Sequence, residues 1–323
     1  MSFHLRIGSR PSALALAQAN LIKRQLEAAL PGLVADIVTV RTSGDKLTTA
    51  SLAQVGGKGL FIRELEQALA AAQIDLAVHS MKDLPAVLPD GFRLAAVPAR
   101  ENPHDALITR AGGGWSQLAP GARLGTSSTR RRLEALRLRP DLDVMPLRGN
   151  VDTRLARLAA GDFDAIILAV AGLRRLGKFD ALECVELDAR EFVPSGAQGA
   201  LAIEALAARP IGAAHEIEAA VASLNDARAL AEVTAERTFL ATIGASCVSP
   251  VGVKATVNDA TMELHALLFS IDGARSLTDE ITAPYRIDED DARSGSSPAA
   301  AAIGATLGHR MIGRGARELI ASA

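Results

Sequence analysis

Residues 75–83 read DLAVHSMKD, and their reading decides the architecture. The apolar run Leu76-Ala77-Val78 is that of a core strand, yet it empties directly into His79, Ser80, Lys82 and Asp83. In open α/β sheets, ligands bind outside the carboxyl ends of the strands, so a core strand with a charged end is read as one edge of a binding site.

Working outward, short β-type runs alternate with helical ones: His4–Gly8, Ser12–Leu30, Ala35–Val40, Phe61–Gln73, Asp75–His79 and Arg93–Val97. That rhythm predicts an α/β sheet domain. Ser12, after Pro11, is the expected N-cap of the first helix. A second round from Arg123 to Phe192, with a helix begun near Thr129, predicts a second sheet domain. Pro98–Pro103 reads as a linker between them and Val193–Gly196 as a return crossing, and two crossings make a hinge. Helical stretches at 213–223 and 226–241 lead into alternating runs at Gly252–Val257, Thr261–Ser270 and Arg275–Ala283, which are antiparallel strands. A closing helix near 299–321 covers them, and the segment from Asp288 to Pro298 reads as a weakly ordered loop. The expected fold class is therefore α/β, with two hinged sheet domains and a small α+β C-terminal domain on a three-stranded antiparallel sheet. The expected boundaries are 1–99 with 199–223, then 100–198, then 224–323.

Composition narrows the function. Among 323 residues, 35 basic against 37 acidic side chains leave a net charge of −2, and aromatics make up 3%, with Trp115 and Tyr285 the sole examples of their kinds. Neither a polyanion-attracting field nor base-stacking platforms exist, so nucleic acid is not an expected partner. MSFHLRIGSR has no apolar signal-type segment and no stretch is long enough to span a membrane without charge, so the cytoplasm is the expected location and no membrane contact is expected. The histidines and the two cysteines show no metal-ligand spacing, so no metal is expected.

The Gly56-Gly57-Lys58-Gly59 run fails the phosphate-loop pattern, because Ala53 and Gly59 stand where it needs Gly and Ser or Thr. It reads as a loop delivering Lys58, with a plain surface loop the stronger alternative on composition alone. Gly125-Thr126-Ser127-Ser128-Thr129-Arg130-Arg131 sets hydroxyls, helix N–H groups and guanidinium donors around one point, suited to a carboxylate or phosphate. An N-capped helix with solvated arginines is an equal alternative. Arg148-Gly149-Asn150, with Arg154 one turn further on, and Gly172-Leu173-Arg174-Arg175 repeat the arrangement at two more strand ends, while Arg10, Lys82 and Asp83 equip the facing domain. An anionic ligand between the domains follows, and Asp83, a carboxylate among cations, is left to stabilise a cation or move a proton. Cys184 reads as a buried small hydrophobe, and Cys247, in a turn-like connection, reads locally as a structural thiol.

These stretches together resemble the porphobilinogen deaminase (hydroxymethylbilane synthase) family over nearly the whole chain. The resemblance is carried by Arg6–Ser12, Val55–Phe61, Ala77–Asp83, Gly125–Ser128, Leu147–Val151, Ala165–Ala169, Gln198–Ala200 and the Cys247 turn. It implies two domains built like type II periplasmic binding proteins and a third holding a cysteine, here Cys247, that carries a dipyrromethane cofactor through a thioether. It implies a transferase that joins four porphobilinogen molecules head to tail with loss of ammonia and releases hydroxymethylbilane by hydrolysis, and it implies a monomer. Asp83 matches the catalytic carboxylate, which would assist loss of the amine, stabilise the azafulvenium cation and help remove the pyrrole proton. Arg10, Ser12, Lys58, Ser80, Lys82, Thr126, Ser127, Ser128, Arg130, Arg131, Arg148, Gly149, Arg154, Arg175 and Gln198 match binding positions, and Phe61 a lid or stacking position. Gln54 stands where many relatives have Lys, and Ala245-Ser246 departs from a common Gly-Gly before the cysteine. A solute-binding protein is the rival reading, and it would need neither Asp83 nor Cys247.

Overall fold

The computed structural model describes residues 3–42, 62–212, 214–246 and 248–321. Strands β1 (Phe3–Ser9), β2 (Leu33–Thr39), β3 (Leu76–Ser80) and β4 (Phe92–Ala96) build most of the first sheet. Strands β5 (Asp105–Thr109), β6 (Arg123–Gly125), β7 (Asp143–Met145), β8 (Ala165–Ala169) and β9 (Cys184–Glu186) build the second, in the order β7-β6-β8-β5-β9. The chain then returns to the first sheet as β10 (Leu201–Leu206), giving β2-β1-β3-β10-β4. Two α/β sheets joined by two crossings are thus as the sequence leads one to expect, although β5 and β10 were not legible as strands.

Those two strands position the site. Within each sheet the strand fed by a crossing runs antiparallel to its neighbours, so its first residue pairs with the last of a parallel-type strand: Leu201 with Ser80, and Asp105 with Ala169. Both crossings therefore meet the sheets at the edge where the polar strand ends lie. The crossings also touch each other, with Glu101 N donating to Gly199 O at 3.2 Å. Gly199 has φ +89°, and a Cβ there would stand 2.1 Å from the Glu101 carbonyl, so this approach needs glycine.

Helix α1 (Ala13–Ala29) buries Ile22 and Leu26 on the first sheet, and full burial of such side chains stabilises by about 1.5–3 kcal/mol each. Ser12 caps it, accepting from Ala15 N at 3.3 Å. Helices α2 (Arg63–Ala70), α3 (Thr129–Leu138), α4 (Val151–Ala159) and α5 (Val170–Arg175) follow, the last three beginning where β6, β7 and β8 have ended. After α6 (His215–Ala222), helix α7 (Ala227–Ile243) leads into the third sheet, β11 (Val251–Val257), β12 (Thr261–Phe269) and β13 (Ser276–Pro284), antiparallel throughout.

Three readings need correction. The loop expected between Asp288 and Pro298 contains a helix, α8 (Glu289–Ser294), because the Asp288 side chain caps it and Gly295 ends it in the left-handed region. The closing helix is two, α9 (Pro298–Ile312) and α10 (Ala316–Ala321), separated at the glycines Gly313 and Gly315. Cys184 is half-buried at the edge of its sheet, not enclosed, and burial raises its thiol pKa. No described helix is long and apolar enough to cross a membrane.

Candidate active site

The end of β3 turns through a single 3-10 turn, Met81–Asp83, which buries Met81 and leaves Asp83 exposed. Ser80 is held by Gln18 of α1, whose Nε2 donates to its Oγ at 2.8 Å. His79 points the other way, its Nε2 lying 2.9 Å from Glu204 Oε2 in a buried pair. Lys82 reaches across to the return crossing and donates to Gln198 Oε1 at 3.0 Å. Burial lowers its pKa to about 8, with Arg131 adding to the fall and Asp83 and Asp105 opposing it.

In the facing domain Ser128 caps α3, accepting from Arg131 N at 3.4 Å, as the plain alternative had it. The arginines behind it are not solvated: Arg130 is 5% and Arg131 7% exposed. Both fork onto Asp105, Arg130 Nη2 to Oδ2 at 2.7 Å and Arg131 Nη2 to Oδ1 at 2.6 Å. Burial opposes ionisation of Asp105, but the two guanidinium charges outweigh it and hold its carboxyl well below the usual range. Arg130 spends its other terminal nitrogen on Glu134 and the Val193 carbonyl, both at 2.7 Å, so its fork is committed within the protein. Arg131 donates also to Ile167 O, and its buried Nε has no partner among the described residues.

Burial pushes Glu134 up to about 8, opposed by Arg130 and reinforced by Asp105. A carboxyl whose pKa is raised on folding binds more protons folded than unfolded, so its contribution to stability falls as pH rises from about 4.5 to 8. Glu134→Gln removes that slope. Urea titrations should show wild type losing on the order of 2 kcal/mol more than the variant between pH 5 and 8, and parallel profiles would refute the assignment.

Thr126 is buried and accepts from Ser128 N at 3.2 Å, and Ser127 Oγ donates to Leu147 O at 2.9 Å, tying two strand ends together. Arg148 is half-buried beside Gly149, whose φ of +107° aims its carbonyl at Arg154 Nε (2.8 Å). Arg175 Nη2 donates to Gly199 O at 2.6 Å. Burial lowers both Arg154 and Arg175 to about 10, and Arg131 adds to the effect on Arg154. Among the described residues neither arginine has a carboxylate within ion-pair distance. Arg10 and Ser12 follow β1 at the same edge. Lys58, Phe61 and Cys247 lie outside the described residues. The turn around Cys247 starts where Gly244 ends α7 in the left-handed region, and Ser246 N donates to Ser249 Oγ at 3.0 Å.

Two acidic residues escaped the sequence reading. Asp105 opens β5 two residues beyond the linker at Pro98–Pro103, and an acid directly before Ala106-Leu107-Ile108 is a usable signal. Glu236, fully buried on α7, accepts from Arg100 Nη1 (2.8 Å) and Nη2 (3.0 Å), Ala197 N (2.5 Å) and Ala255 N (2.8 Å), so it joins linker, return crossing and third sheet. Nothing local marked it.

Chemically, these strand ends offer two kinds of group. Lys82, Arg131, Arg154 and Arg175 present cationic donors that burial makes receptive to carboxylates, and Asp83 presents one exposed carboxylate among them. Residues 5–211 match the family model described as porphobilinogen deaminase, dipyromethane cofactor binding domain, and residues 230–312 match porphobilinogen deaminase, C-terminal domain. The porphobilinogen deaminase of Syntrophobacter fumaroxidans is 43% identical over 316 residues, 98% of this chain and 96% of its own. That of Chromobacterium violaceum is also 43% identical, over the same shares of both chains. Among solved structures, a probable amino-acid ABC transporter extracellular-binding protein from Bacillus subtilis has a TM-score of 0.41 at 12% identity, covering 69% of this chain and 90% of its own.

Proposed function

The chain belongs to the porphobilinogen deaminase family, and from that premise we propose that it is a transferase whose cleft holds pyrrole carboxylates on Lys82, Arg131, Arg154 and Arg175 and carries out its chemistry at Asp83. The observation that supports this most directly is the pair of half-buried arginines, Arg154 and Arg175, with no carboxylate within ion-pair distance among the described residues. A partly desolvated guanidinium without an anion in contact is less stable than a paired one, and an anionic ligand supplies the pair.

The same observation tests the cofactor. A dipyrromethane carries acetate and propionate groups, and planar, multi-donor arginines are the side chains that match them. The donor set fits. When bound through Cys247, the group supplies the pyrrole carbon to which substrate is joined.

The protein's own part is binding, orientation and proton handling. Arg131 and Arg154 take carboxylates from the second domain, Arg175 from beside the hinge, and Arg10, Ser12, Lys58 and Ser80 from the first domain. Thr126, Ser127, Ser128, Arg148 and Gly149 shape the strand ends that receive them. Arg130 acts indirectly, because its donors are already engaged by Asp105, Glu134 and Val193. Phe61 caps the cleft as a lid or stacking surface. At Asp83, the carboxyl group gives its proton to the amine as the substrate C–N bond breaks and ammonia leaves with the bonding pair, and the resulting carboxylate stabilises the carbon-centred cation. Such a charge is stabilised more strongly by a fixed carboxylate in a partly dehydrated cleft than in water. The same oxygen then accepts the proton displaced from the attacking pyrrole carbon. We assign the protein to the cytoplasm as a monomer, acting on porphobilinogen without nucleic acid or membrane.

Intact mass spectrometry of the purified protein checks this reading. The expected mass exceeds the polypeptide by two linked pyrrole units, mapped to the Cys247 peptide, and the same sample consumes porphobilinogen with release of ammonia. An unmodified Cys247 in a protein that leaves porphobilinogen untouched rules it out.

A further inference from the structure

Gln198, 1% exposed on the return crossing, joins the two α/β domains through a single amide. Its Nε2 donates to the Pro103 carbonyl at 2.7 Å and to Asp105 Oδ1 at 2.9 Å, and its Oε1 accepts from Lys82 Nζ at 3.0 Å. Two acceptors on one side and an ammonium on the other allow one orientation of the amide, since a flip would set oxygen against oxygens and N–H against a cation. The carboxylate of Asp105 therefore sets the polarity of Gln198, and Gln198 sets where the Lys82 ammonium rests, next to Asp83 in the chain. A neutral amide holds that ammonium without cancelling its charge. Asp105 itself does cancel charge, offsetting one of the two guanidinium groups that fork onto it.

We propose that Asp105 is a positioning residue for the reaction at Asp83, fixing the place and the charge of Lys82 through the Gln198 amide. This rests on the roles given above to Asp83 and Lys82. The charged groups that face Lys82 are Arg131 and Arg130, which disfavour its ammonium form, and Asp83 and Asp105, which favour it. Removing the charge of Asp105 leaves Arg131 without a carboxylate and Arg130 with Glu134 alone, and makes the ammonium less favourable. Removing the Gln198 carbonyl deletes a hydrogen bond to the charged form, which acts in the same direction.

The test uses full-length, cofactor-loaded protein as wild type, Gln198→Met and Asp105→Asn. Trace labelling with acetic anhydride from about pH 6 to 11, read by peptide mass spectrometry, gives the titration of Lys82, and kcat/KM for porphobilinogen is followed over the same range. Both variants are expected to titrate Lys82 about one pH unit lower than wild type, with the alkaline limb of kcat/KM moving the same way. A merely structural role lowers thermal stability and leaves the Lys82 titration in place. An unmoved titration in Gln198→Met overturns the proposal, and so does a titration that moves while the alkaline limb stays. If Asp105→Asn does not fold, Gln198→Met decides alone. Labelling needs no turnover, so a wild type inert toward porphobilinogen sinks the functional reading while the link from Asp105 to Lys82 is still decided.

Discussion

Asp83→Asn lowers kcat by about 10³-fold while leaving the fold and the covalent cofactor in place. The stability half follows from exposure: Asp83 is exposed at the end of a 3-10 turn, and substitutions at such positions fall within about 0.5 kcal/mol of wild type. The kinetic half follows from chemistry. Asparagine matches the shape but has neither the charge to stabilise a carbon cation nor a basic oxygen to accept the pyrrole proton. Each loss alone is worth roughly 10²-fold or more, and both fall on one side chain. Single-turnover rates with porphobilinogen, alongside intact mass and thermal melting, separate the two halves. A variant within tenfold of wild type would remove Asp83 from the mechanism, and one lacking the cofactor mass would make Asp83 a loading residue instead.

Glu236→Ala costs about 3–5 kcal/mol of unfolding free energy, the range for removing one partner of a buried ion pair. The side chain is fully buried and its two oxygens accept from Arg100, Ala197 N and Ala255 N. Without them Arg100 keeps Glu232 at 3.2 Å, while two backbone N–H groups lose a partner. Ala197 also has φ +59°, outside the region most side chains prefer, so its backbone depends on being held. Glu236→Gln, which keeps the volume and part of the hydrogen bonding, should fall between the two. Urea unfolding at neutral pH measures all three, and a loss below about 1 kcal/mol for Glu236→Ala would show that the hinge does not depend on this carboxylate.

The strand ends were legible because their signals are local. Lys82 and Asp83 directly follow an apolar run, and Ser128 before Arg130 and Arg131 states both a helix cap and a cluster of donors within four positions. The crossings at 98–103 and 193–196 were legible from proline and glycine. Strand β5 was hidden by its length of five residues and its place after that proline-rich linker, and β10 by following a glycine-rich turn. The equal weighing of Arg130 and Arg131 as solvated charges or ligand donors was unresolvable locally, because the residue that decides it is Asp105, 25 positions from Arg130.

By itself, the sequence determined the alternation of strands and helices, the two crossings, the family and the side chains able to meet carboxylates, since periodicity, capping and motif order all reside in neighbouring residues. Only the tertiary structure decided which cations are already neutralised and which keep their charge for a ligand. Asp105 and Glu134 engage Arg130, Arg131 only shares Asp105, Glu236 takes Arg100, and Arg154 and Arg175 have no described carboxylate within ion-pair distance. A buried charge takes whatever partner the fold brings within about 3 Å, and here that partner is distant in the chain, 25 positions from Asp105 to Arg130 and 136 from Arg100 to Glu236.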